Sequence, residues 1–171
     1  FVNKFTALSN IYHEIEGLTK ADNLVLKKSC EYIIENDALR VDPEAVFADG
    51  GVLGLFRSEI KECISILEEH GYLHVAQNLG NDGDGYSCHY QVTHHGLSHY
   101  AESYIPDYYV ILDNVIRLIV NGSAHNNVSI QEKMNIPIVI INYILDSLAS
   151  RDHIKLSKTT SGRVQIYNLS V

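Results

Sequence analysis

The stretch VSIQEKMNIPIVIINYILDSLASRDHIKLSK, residues 128–158, decides how the chain is read. Ser129 is followed three residues later by Glu132, the spacing of a capping box in which each side chain satisfies the other's free backbone N–H. A short helix is expected there. Pro137 suits the first turn of a further helix, because its missing N–H would have no partner at that place. This longer helix is expected to run to Ser150, with Ile141, Ile144, Leu145 and Leu148 as its inward stripe. The alternation of HIKLSK and RVQIY around a Thr-Thr-Ser-Gly turn then gives a hairpin.

Upstream, DYYVILDNVIRLIVNG, residues 107–122, places Tyr109, Leu112, Ile116, Ile119 and Val120 at spacings of three and four. That is a helix with one buried stripe, ended by Asn121-Gly122. The same order occurs earlier in the chain. LVLKKSCEYIIEND gives a helix with Leu24, Leu26, Cys30, Ile33 and Ile34 inward, and VDPEAVFA starts a short helix with Asp42 as cap and Pro43 at its first position. RSEIKECISILEEHGYL gives a longer helix with Ile60, Cys63, Ile64 and Leu67 buried, stopped by Gly71. YLHVAQ and YSCHYQVT flank the tip LGNDGDG as a second hairpin, and HHGLSHYAESYI reads as a closing helix. LEEHGYLHV and LASRDHIKL hold equivalent places in the two halves, an architectural repeat.

Helix, short helix, longer helix and hairpin in this order resemble the winged-helix family of helix-turn-helix domains. Residues 128–158 carry the resemblance, which extends over 108–171. It implies a mainly α fold with small β-hairpins (α+β), built as tandem winged-helix domains. An N-terminal helix around FTALSNIYHEIEGL and its lead-in would occupy 1–23, the first domain 24–105 and the second 106–171, with a junction at Pro106 in ESYIPDYY. In members that read DNA, the third helix lies in the major groove and the wing touches phosphate or the minor groove.

Charge and side-chain chemistry pull against that implication. Of the net charge of −8, residues 1–105 carry −9, with 7 Lys and Arg against 16 Asp and Glu; residues 106–171 carry +1, with 6 against 5. Phosphate affinity needs cations, so only the second part is expected to approach nucleic acid. Between Met134 and Leu148 there is no Lys or Arg. The outward positions of that third helix are Val139, Ile140, Asn142, Tyr143 and Asp146, of which only Asn142 is a good base reader. Exposed together, Val139, Ile140 and Tyr143 would make an apolar patch suited to a protein partner; the alternative is that Val139 and Ile140 are covered by the first unit or the N-terminal helix. In the first unit the outward set is Ser58, Glu59, Lys61, Glu62 and Ser65, a solvated face, and its wing carries Asp82 and Asp84. The second wing differs, with Arg151, Lys155, Lys158 and Arg163 clustered around it and Asp152 as the one acid among them.

Other chemistry is weakly represented. Cys30, Cys63 and Cys88 form no CxxC pair and no disulfide framework, which leads us to expect a reducing cytoplasm. His70, His74, His89, His94, His95 and His99 cluster in sequence without converging further ligands, and NDGDGYS, counted from Asn81, reaches Val92 where a calcium loop needs a bidentate Glu. No metal site, cofactor or catalytic residue is expected. No apolar run approaches the roughly 20 residues of a membrane span. Phe1 in place of an initiator Met leads us to expect a start inside a longer natural chain or at a cleaved tag.

The sequence thus leads to a noncatalytic tandem winged-helix transcriptional regulator. Its contact with double-stranded DNA is expected to be weak and wing-led, through Arg151, Lys155, Lys158 and Arg163 on phosphate and Asn142 on a base. A homodimer formed through the first unit or the N-terminal helix would supply a second half-site. The alternative is an acidic tandem winged-helix assembly module, similar in architecture to kleisin-binding proteins or to subunits of membrane-sorting complexes, with Val139, Ile140 and Tyr143 on a protein partner. No membrane partner is expected.

Overall fold

The computed structural model describes residues 14–47, 54–75 and 89–168. The first wing tip with Asp82 and Asp84, Cys88, and most of the expected N-terminal helix lie outside them; the part of that helix that is described, 14–18, is not helical. Two compact units meet in sequence between Ser103 and Tyr104.

In the first unit, α1 (Lys20–Glu35) begins earlier than its apolar run because Thr19 and Asp22 form a capping box. The Thr19 hydroxyl accepts the Asp22 N–H at 3.2 Å, and the Asp22 carboxylate accepts the Thr19 N–H at 2.8 Å. Val25, Leu26, Cys30, Ile33 and Ile34 are buried, while Leu24 is only half-buried. Asp42 caps α2 (Pro43–Phe47) by accepting the Glu44 N–H at 2.9 Å. The third helix, α3 (Arg57–Glu69), buries the expected Ile60, Cys63, Ile64 and Leu67. β1 (Leu73–Val75) pairs antiparallel with β2 (Tyr90–Val92), and α4 (His94–Tyr104) follows.

The second unit repeats the plan with α5 (Tyr108–Val120), α6 (Asn127–Met134), α7 (Ile138–Ser150), β3 (Ile154–Lys158) and β4 (Val164–Asn168). β3 and β4 pair antiparallel, with Leu156 opposite Ile166. Two details repeat beyond the element order. Just before the short helix, one residue of extended chain bridges to the second hairpin strand: Val41 to Tyr90 in the first unit, Asn126 to Gln165 in the second. Just after the third helix, a left-handed residue reverses the chain, Gly71 at φ 77° and Asp152 at φ 58°. The following N–H bonds back five residues, Tyr72 to the Leu67 carbonyl at 2.8 Å and His153 to that of Leu148 at 3.0 Å. Each unit is a winged-helix domain, and the fold is a tandem of them with α+β composition.

Two sequence expectations need correction. The cap of α6 is Asn126, with Ser129 at its third helical position rather than at the cap; the Asn126 side chain accepts the Ser129 N–H at 2.9 Å. Asn competes equally with Ser for this role, and placing it here adds a turn to the helix. In α5 the inward stripe is Tyr108, Ile111, Val115 and Ile119, while Tyr109 and Val120 are 67% and 75% exposed. This segment is apolar on two sides, so two registers satisfy the helical spacing. Asp113 lies four residues after Tyr109, and turning Tyr109 inward would carry that carboxylate toward the core.

Close approach decides one glycine. Thr93 caps α4, its hydroxyl accepting the Gly96 N–H at 3.1 Å, which presses Gly96 against the turn before β1. A Cβ on Gly96 would stand 2.5 Å from the Tyr72 carbonyl oxygen. The clash is with backbone, so it outweighs the roughly 1 kcal/mol that Ala gains in a helix. Gly96→Ala should lower the stability of the first unit by about 1–2 kcal/mol in chemical denaturation.

Candidate nucleic-acid and partner interface

Asn127 organises the surface on which base reading would occur. It is the first residue of α6 and only 1% exposed. Its amide nitrogen donates to Asn142 Oδ1 on α7 at 2.9 Å and to the Gly162 carbonyl in the wing turn at 3.1 Å. Its oxygen accepts the Val164 N–H of β4 at 3.0 Å. One side chain therefore ties the short helix, the third helix and the wing together. Nothing in the sequence pattern singles out Asn127, because an Asn near a helix start reads as a cap.

For Asn142 this has a chemical consequence. Reading adenine with an Asn needs its oxygen and its nitrogen together, one accepting and one donating. The half-buried Asn142 accepts from Asn127 with one of its oxygen's two lone pairs, which orients its amide toward the start of the short helix. The expected exposed apolar patch is corrected. Ile140 is 1% exposed and Tyr143 6%, with Tyr143 packed near Tyr108 at a ring-centroid distance of 6.3 Å, and Val139 is half-buried. The inward face of α7 is wider than the expected stripe: Ile140 and Tyr143 join Ile141, Ile144 and Leu145, while Leu148 is half-buried. An apolar helix flanked on two sides buries more than one narrow stripe.

The wing cations are treated unequally. Arg151, Lys155 and Arg163 are exposed. Lys158 reaches back to the third helix, with Nζ 2.9 Å from the Asp146 carboxylate. The pair is exposed and adds little stability, yet it offsets the charge of one of the four cations expected to meet phosphate. Lys155 lies opposite Tyr167, which is 56% exposed, so the two share the outer face of the hairpin.

In the first unit the outward face of α3 is solvated as the sequence implies, with Ser58, Glu59, Lys61, Glu62 and Ser65 exposed. Arg57 pairs with Glu44, and Glu59 accepts the Phe56 N–H at 2.6 Å at the helix start. Among the described residues, the exposed large apolar side chains are Leu39 and Phe56 in the first unit, and Tyr109, Val110 and Val120 on α5 with Tyr167 on β4 in the second.

Burial pushes the Cys63 thiol up to about 12, with the Asp22 carboxylate beside it adding to the effect, and Cys30 is also shifted well above the usual thiol range by burial. Neither is a thiolate at neutral pH. Of the histidines that cluster in sequence, His74 lies on β1, His94, His95 and His99 on α4, and His70 and His89 outside helix and strand, with His95 stacked on Tyr72 at 4.4 Å. Among the described residues no three His, Cys, Asp or Glu side chains converge as metal ligands, and no helix is long and apolar enough to cross a membrane.

No family model matches the chain, and no curated protein matches it. Among solved structures, the crystal structure of subunit VPS25 of the endosomal trafficking complex ESCRT-II aligns with a TM-score of 0.46 at 13% sequence identity, over 98% of each chain.

The Asn127 bonds are testable by truncation. Asn127→Ala leaves the Val164 N–H and the Gly162 carbonyl without their side-chain partner and should cost the second unit about 2–3 kcal/mol. Asn142→Ala removes only one link and should cost about 1 kcal/mol. Equal losses measured by denaturant unfolding would contradict the central place given to Asn127.

Proposed function

We propose that the chain is a noncatalytic tandem winged-helix assembly module that docks other protein rather than reading DNA. The observation that carries this reading is the engagement of Asn142 by Asn127. It holds the amide of the one outward residue of α7 suited to base reading against the short helix, so presenting both its oxygen and its nitrogen to a base edge would cost that bond. Three further features point the same way. Asp146 draws Lys158 away from phosphate, the third helix of the first unit presents Glu59 and Glu62, and the net charge is −8. The buried Ile140 and Tyr143 take the third helix out of consideration as the apolar docking face. The partner surface is better sought at the exposed Tyr109, Val110 and Val120 of α5 and at Phe56.

A second reading is favoured by the exposure of Arg151, Lys155 and Arg163: wing-led, sequence-tolerant contact with double-stranded DNA in a transcriptional regulator. Titrating the chain against mixed duplex DNA at about 50 and 200 mM salt separates the two. The assembly reading expects no binding at either salt. Binding that weakens steeply with salt, and is lost in Lys155→Glu with Arg163→Glu, would establish the wing-led reading instead.

A further inference from the structure

On α5, Val110, Asp113, Arg117 and Val120 are all exposed, and they follow one another at intervals of three, four and three residues. At 3.6 residues per turn, this spacing gathers them into an arc of about 80°, opposite the buried Tyr108, Ile111, Val115 and Ile119. The 3-4-3 interval is that of a helix seam. Val110 and Val120 are 58% and 75% exposed, and between them Arg117 Nε and Asp113 Oδ2 stand 2.8 Å apart with side chains 73% and 56% exposed.

The order of side chains along this stripe is its own complement when reversed. Apolar, acidic, basic and apolar residues are placed symmetrically about the level of Val115. A second copy of α5 lying antiparallel across a two-fold axis at that level sets Val110 against the partner's Val120, and Asp113 against the partner's Arg117. The same contacts recur on the other side of the axis, as an isologous interface requires. A parallel arrangement would instead oppose Asp113 to the partner's Asp113 and Arg117 to the partner's Arg117, a repulsive pairing.

We infer that the exposed stripe of α5 is a homodimer interface, occupied by the α5 of a second copy in antiparallel orientation. Each Asp113–Arg117 pair exchanges its intrahelical partner for the one across the axis, so no charge is left unpaired. The valines at either end cover apolar surface that is otherwise wet, and Tyr109 extends that cover at the helix start. A 13-residue helix is about 20 Å long, so the contact falls short of the roughly 1,200 Å² of a stable interface. The dimer is accordingly weak, with Kd on the order of 100 μM, and gains strength where a further partner holds two copies together. This inference goes beyond the assembly reading and is separable from it: a chain that ignores DNA and stays monomeric would overturn only the dimer.

Charge exchange tests the arrangement. Asp113→Arg places Arg against Arg across the axis, twice, and Arg117→Asp places Asp against Asp. Each variant alone should self-associate at least about tenfold more weakly than the wild type in sedimentation equilibrium. Mixed in equal amounts, the two restore both opposite-charge pairs, and the mixture should regain association close to that of the wild type. The positions are exposed, and circular dichroism checks that each variant keeps its fold. A wild type that stays monomeric up to about 1 mM, variants that associate as the wild type does, or a mixture no stronger than its components would each overturn the proposal.

Discussion

A buried amide must find partners for its oxygen and both its N–H groups, and in the second unit Asn127 finds them on three different elements. Its bonds to Asn142, Gly162 and Val164 join third helix, wing turn and wing strand to the start of the short helix. Because a polar group this deep is costly when unsatisfied, the helix and wing cannot shift independently without exposing or orphaning one of these partners. The short helix, third helix and wing of the second unit are thereby tied together from within.

The first unit solves the same problem with other residues. There the second hairpin strand is anchored by Tyr90, fully buried, whose backbone pairs with Val41 and whose hydroxyl meets the Ser29 hydroxyl at 2.7 Å. The Ser29 hydroxyl also lies within donating distance of the Val25 carbonyl, at 2.7 Å. The Tyr90 hydroxyl thus ties the second hairpin strand to the first helix, while the Val75 N–H of the first strand donates to Glu68 on the third helix at 2.9 Å. Similar architecture with different anchors explains why the two halves share helix order, bridging residue and left-handed turn while showing little sequence identity.

Much of the fold is legible in the sequence because it rests on local rules. The Asp42 cap, the Pro43 start, the Ile60–Leu67 stripe and the Gly71 stop each follow from a few neighbouring residues. The misread parts depend on choices that local rules leave balanced. Asn126 and Ser129 are both good caps, and α5 has two apolar sides, a tie broken only by the need to keep Asp113 and Arg117 in water. The candidate site was least legible. Whether Asn142, Ile140 and Tyr143 face solvent depends on what packs against α7, and Asn127 gives no sign in sequence that it will reach the wing.

Burial turns Ile140 and Tyr143 of the second unit's third helix inward, whereas its first helix exposes side chains that are apolar at the ends and oppositely charged between. The wing exposes Arg151, Lys155, Lys158 and Arg163, of which Lys158 is paired with Asp146 on the third helix. The claim that the third helix is committed inward is tested most directly by following the Asn142 side-chain amide in the nitrogen-15 spectrum as duplex DNA is added at low salt. The account predicts that its two proton resonances stay where they are in the free protein. A shift at Asn142 that saturates with DNA, accompanied by shifts along the exposed side of α7, would contradict it.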